Sequence, residues 1–215
     1  MKNFLYKEIK LITNPLNWIF LLFLTMLLIP TYPCYVPFFY LCLSVFFMFN
    51  NAEINRDMEY SLILPIRKKD IVKSRCILVF FYQILGLILS IPFVFLRVTE
   101  NQAGIDLNVA FFGLIMICLS IFNFVFITGF YKKGEKPGLP FLASSILYFV
   151  VYIVFEIPIW MKSMFNVEYF IIMDNTDATS QIKQLPILFI GIMFYVLTCF
   201  LTYKVSAKRF EKVDL

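Results

Sequence analysis

Asn50-Asn-Ala-Glu-Ile-Asn-Arg-Asp-Met-Glu-Tyr-Ser-Leu-Ile-Leu-Pro-Ile-Arg-Lys-Lys-Asp-Ile-Val-Lys-Ser-Arg-Cys76 is the longest strongly charged run between two apolar segments of this chain. Its charged side chains are Glu53, Arg56, Asp57, Glu59, Arg67, Lys68, Lys69, Asp70, Lys73 and Arg75. Almost everything outside it is hydrocarbon-like. A chain that keeps one long charged loop on one face of an apolar body either presents that loop to something soluble or uses it only to anchor topology.

Working outward, the 215 residues are 61% hydrophobic and 15% charged, whereas soluble domains carry about 25% charged residues. So much apolar surface at this length requires a polytopic membrane protein. Histidine is absent, which removes His-based metal sites and general bases. The cysteines Cys34, Cys42, Cys76, Cys118 and Cys199 show no CxxC spacing, so they predict neither a zinc site nor a disulfide framework. The segment Trp18–Ile29 is followed by Pro30-Thr-Tyr-Pro33 and not by small residues, which argues against a cleaved signal peptide.

Before the first apolar segment, Asn3, Lys7, Lys10 and Asn14 form a polar stripe, with Leu5, Ile9 and Ile12 on another face. Residues 1–13 therefore read as an amphipathic helix lying in the membrane surface, in contact with lipid head groups. Six apolar segments follow, at about 16–30, 35–49, 77–96, 109–130, 139–160 and 186–203. None alternates with period two, so all read as helices, the state that satisfies backbone groups in lipid. The expected class is all-α, with six transmembrane helices in one domain. The first two segments are short and could form a hairpin that returns to the same side; two full spans is the reading preferred here. Segment 161–185 is too apolar to be freely solvated and reads as a folded-back extracellular piece.

With six spans, sixteen of the nineteen Lys and Arg fall on the side holding both termini and the 50–76 loop; Arg97, Lys162 and Lys183 fall on the other. That bias predicts cytoplasmic termini and a cytoplasmic loop. The opposite side carries twice as many acidic as basic groups, which suits release of a cationic cargo. Within the spans, Gln83, Asn123 and Glu156 are candidates for a translocation path. For Gln83 and Asn123 the plainer reading is hydrogen bonding between helices; for Glu156 it is contact with outer water.

The run Leu64-Pro-Ile-Arg-Lys-Lys-Asp-Ile-Val-Lys-Ser-Arg75 resembles the signature that follows the second span of bacterial ABC-2 type permeases, with Leu64, Pro65, Lys68, Asp70 and Arg75 at its marked positions. Arg67 departs from the Ser or Thr common there, a helix N-cap choice. The resemblance extends over the whole chain and is nearest to short permeases that work beside a separate ATPase, some of them exporters of amphipathic or antimicrobial peptides. It implies a coupling helix over about Ala52–Leu62 that docks on the ATPase, with Glu53, Arg56, Asp57 and Glu59 facing the partner or the N-terminal helix. Ile54, Met58 and Leu62, four apart, would form the apolar stripe seating that helix. It also implies a second permease subunit, identical or not, and a bacterial plasma membrane.

The chain has no phosphate-cradling Gly-x-x-x-x-Gly-Lys motif; Gly134-Glu-Lys-Pro-Gly138 has the wrong spacing. ATP and Mg would therefore belong to the partner subunit, and neither catalysis, a metal nor nucleic-acid binding is expected of this chain. The alternatives are a secondary carrier, whose mid-span carboxylates are missing here, a membrane enzyme, for which no constellation is visible, and an immunity or structural protein.

Overall fold

The computed structural model describes residues 13–63, 66–97, 99, 101–133, 136–165 and 168–212. The interfacial helix expected over 1–13 falls almost wholly outside the described residues. So do Leu64 and Pro65 of the motif and the side chain of Leu62.

All regular elements among the described residues are helical. They are α1 (Pro15–Leu22, continued by a 3-10 turn over Phe23–Leu28), α2 (Tyr35–Ile54), α3 (Asp57–Ile63), α4 (Lys68–Leu96), α5 (Val109–Lys133), α6 (Gly138–Phe165), α7 (Glu168–Asp174) and α8 (Ala178–Glu211). Pro15 starts α1 at a position where its missing N–H costs nothing. The Asn14 N–H donates to Asn17 Oδ1 at 2.9 Å. Asn108 opens α5, its Oδ1 accepting from the Phe111 N–H at 2.9 Å.

Among the described residues five helices are long and apolar enough to cross a membrane: α2, α4, α5, α6 and α8. Six spans were expected. The difference lies in Pro15–Leu28, which is shorter: at 1.5 Å per α-residue and about 2 Å per 3-10 residue it measures about 24 Å, against a hydrocarbon core of about 30 Å. Polar anchors fix where it begins. The buried Asn17 Nδ2 donates to the Ser44 carbonyl at 2.9 Å and to Ser44 Oγ at 2.8 Å, and the Tyr82 hydroxyl donates to the Asn17 carbonyl at 2.6 Å. Tyr82 lies about 21 Å up α4 from Lys68, so α1 begins well inside the depth of its neighbours. The long helices, in turn, outrun their apolar segments. α4 reaches back to Lys68 and α8 runs from Ala178 to Glu211, because charged turns continue the helix where the hydrocarbon ends.

α5 is the central helix. Of its apolar window 67% is buried, against 17% for α6 and for α8, whose exposed Leu, Ile, Val and Phe side chains suit lipid. α5 and α8 cross at glycines: a Cβ on Gly113 would sit 2.6 Å from the Ile187 carbonyl oxygen, and one on Gly191 would collide with the Gly113 carbonyl. In lipid, where apolar surface gains little by leaving one hydrocarbon for another, such close backbone approach is what holds helices together. A polar clamp adds to it. Gln83 Nε2 donates to Asn123 Oδ1 at 2.9 Å, Asn123 Nδ2 donates to Gln83 Oε1 at 2.6 Å, and the Tyr195 hydroxyl donates to Gln83 Oε1 at 3.0 Å, joining α4, α5 and α8.

Candidate coupling site at the charged end of the bundle

The stretch expected to form one helix over Ala52–Leu62 forms two. α2 runs on to Ile54, and the chain then breaks at Asn55 and Arg56, where Arg56 adopts φ 48°. That left-handed conformation is uncommon outside glycine and ends the helical hydrogen-bond ladder. α3 restarts at once, with Asp57 and Glu59 in its first turn, where carboxylates offset the helix dipole. The break also undoes the expected apolar stripe: Met58 is buried, while Ile54 is 70% exposed.

The same break turns Asp57 inward. Asp57 was expected to face the partner or the N-terminal helix, which lies outside the described residues; it is buried, and its Oδ2 accepts from Arg75 Nη2 at 2.6 Å. Arg75 projects from the second turn of α4 and is itself buried, its guanidinium carbon 5.5 Å from the centre of the Phe49 ring. Phe49 stands edge-on to Phe126 and Phe130 of α5. One charged side chain thus ties the short helix α3 to α2, α4 and α5 together. A buried pair of this kind holds geometry more surely than it adds stability, since removing one partner strands the other charge.

Above the pair opens a cleft of about 280 Å³, with Ala52, Met58, Arg75 and Phe130 in its lining and Glu53, Arg56 and Glu59 completing it. Arg56 and Glu59 are exposed and lie 3.8 Å apart as an ion pair. Glu53 is half-buried. Around the rim, Arg67 occupies the N-cap position of α4 without a side-chain cap bond; its Nε donates to Asp70 Oδ2 at 2.9 Å. The departure at Arg67 is therefore met by an arginine–aspartate bridge over the first turn. Lys68 lies 5.8 Å from the Phe210 ring centre and Lys69 bridges Glu211 at 3.3 Å, joining the start of α4 to the end of α8. Arg209 Nη1 donates to the Thr128 carbonyl at 2.6 Å, joining α8 to α5. Phe49, Phe130, Arg209 and Glu211 carry no local sequence signal for these roles, because each contact spans dozens of residues.

The three path candidates lie elsewhere. Gln83 and Asn123 are fully buried and satisfy each other, as described above. Glu156 is 0% exposed at the end of the bundle opposite the charged loop and accepts from the Ile105 N–H at 3.2 Å. A Cβ on Gly104 would collide with its carboxylate, so glycine there lets the 101–108 loop close over the acid. The loop is held in turn by Asp174, whose Oδ1 accepts from the Asp106 N–H at 2.9 Å. Gln184 adds three donations to backbone carbonyls of 172–175. Among the described residues no cluster of acids, cysteines or histidines could hold a metal ion.

A family model described as ABC-2 family transporter protein matches residues 3–211. The chain belongs to the ABC-2 transporter family. No curated protein and no solved structure matches it. As an ABC-2 protein it is the membrane component of an ABC transporter, a class driven in general by an ABC ATPase partner. Its apolar helices make it multi-pass, and the family match contains no ATPase domain. At the charged end of this ABC-2 chain, α3 is pinned beside a cleft lined by Glu53, Arg56 and Glu59.

Proposed function

We propose that the chain is the permease subunit of an ATP-driven exporter in a bacterial plasma membrane, working as a dimer with its ATPase docked at the charged end. The observation that carries the reading is the Asp57–Arg75 pair. A partner shifts a conformational equilibrium only through contacts that differ between states. A helix of 7 residues transmits a push only if its inner face is fixed to a span, and the buried pair fixes α3 to α4. Glu53, Arg56 and Glu59, which line the cleft, are the groups that meet the partner, while Asp57 acts behind them as the link. ATP and Mg stay on the partner. The excess of Lys and Arg around this end supports a cytoplasmic side for it and for both termini.

Amphipathic, cationic peptides are the proposed cargo, Glu156 and its acidic neighbours marking the release end. The middle of the bundle supports a permease over a proton-coupled carrier: the polar groups at mid-depth of α4, α5 and α8 are the neutral Gln83, Asn123 and Tyr195. The test is charge reversal at the cleft. Glu53→Lys with Glu59→Lys replaces attraction by like-charge opposition in a basic loop, at a cost from below 1 to a few kcal/mol depending on desolvation at the docked surface. The double variant is expected to insert and to lose ATPase co-purification and export. Normal recruitment and export by an inserted variant would refute the coupling role.

A further inference from the structure

We infer that the end of α4 opposite the charged loop holds a phospholipid, its phosphate bound by Arg97 in the cleft between α4, Thr99, the 101–107 loop and the start of α8. Arg97 has no carboxylate partner among the described residues. Arg97 Nε donates to the Thr99 carbonyl at 3.1 Å and Nη1 to Cys34 Sγ at 3.1 Å, while Nη2 is buried with no hydrogen-bond partner. Burial pushes the Cys34 thiol up to about 11, the adjacent Arg97 charge offsetting only part of that. The group facing the guanidinium is therefore a neutral thiol, and no carboxylate bridges Arg97 among the described residues. A guanidinium in a cleft lining with no carboxylate partner attracts a phosphate.

The surroundings select the source of that phosphate. The cleft measures about 250 Å³ and is lined by Val94, Phe95, Thr99, Asp106, Thr176 and Gln181 besides Arg97. Threonine hydroxyls and a glutamine amide suit a polar head. Asp106 already accepts from the Asn101 N–H and would repel a bare inorganic anion more than a phosphate anchored by its own acyl chains. Phe95 in the lining is 84% exposed, and Leu96 and Ile91 on the same helix are exposed as well, apolar surface suited to acyl chains. Depth agrees: the 29 residues of α4 rise about 43 Å, the thickness of a bilayer with its head groups at about 40–45 Å. Arg97, one residue past the helix, thus lies at phosphate level.

The test is native mass spectrometry of the chain released from phosphatidylethanolamine–phosphatidylglycerol nanodiscs, counting phospholipid retained after detergent washing. Arg97→Gln removes the cation. Thr176→Asp places a carboxylate in the lining at an exposed position, where folding is not at stake. Each is expected to weaken retention about ten- to hundredfold, with Arg97→Lys intermediate and circular dichroism unchanged for Thr176→Asp. Millimolar inorganic phosphate should leave the retained lipid in place. Equal retention in wild type and Thr176→Asp would mean annular lipid only, and displacement by inorganic phosphate would mean a free-anion site; either overturns the assignment.

Discussion

Arg75 is buried, and there its guanidinium donates to the equally buried carboxylate of Asp57. Truncating one partner strands the other, so Arg75→Met alone is expected to cost about 3–5 kcal/mol, read as a fall in thermal unfolding temperature in detergent. Adding Asp57→Leu should recover most of that stability, because two apolar groups replace the pair. If the pair transmits motion, the recovered double variant still hydrolyses ATP with its partner but exports poorly; full export by the double variant would reduce the pair to scaffolding. At the far end, Gly104→Ala forces the 101–108 loop off Glu156 and should mimic the effect of Glu156→Gln. Both are expected to slow export of cationic cargo more than neutral cargo, measured side by side in inverted vesicles. The charged run announced that this neighbourhood matters. What it could not announce was direction: whether Asp57 faces out or in depends on a backbone turn at Arg56, and arginine gives no warning of positive φ.

At the scale of elements, the crossing of α5 and α8 rests on Gly113 and Gly191. Gly191→Leu drives a branched side chain into the Gly113 backbone and is expected to separate the two helices, read as loss of a monodisperse peak in size-exclusion chromatography. The Gln83–Asn123 clamp is a gentler case. Asn123→Leu should cost about 1–2 kcal/mol without dispersing the bundle, since Gln83 keeps its bond from Tyr195. The long helices were legible because runs of twenty apolar residues have few other readings. The first was legible as a short segment, at 16–30 against Pro15–Leu28; the depth at which it begins was not, since that depends on where Asn17 finds Ser44 and Tyr82, and pairing across 27 and 65 residues leaves no trace in local hydropathy. The break between α2 and α3 was hidden for the same reason: the pattern from Ala52 to Leu62 is helical throughout.

For the molecule as a whole, the proposed orientation can be read without touching function. The native cysteines Cys34 and Cys76 are buried and make poor reporters, whereas Thr99 and Tyr60 are exposed at opposite ends. In a background whose own thiols are replaced, Thr99→Cys should react with a membrane-impermeant maleimide in intact cells and Tyr60→Cys only after permeabilisation; the reverse order would invert the topology. On the proposed coupling, a push on α3 reaches α4 through the Asp57–Arg75 pair and reaches α2 through the elbow at Arg56. Any machine of this kind suffers from backlash, the travel lost in a slack joint before the load moves. A non-glycine residue held at φ 48° has few neighbouring conformations to slip into, so the elbow is stiff. Arg56→Gly trades relief of strain against chain entropy and should leave folding stability within about 1 kcal/mol. It should nevertheless lower the amount of cargo moved per ATP hydrolysed, because the same stroke would be spent in the joint.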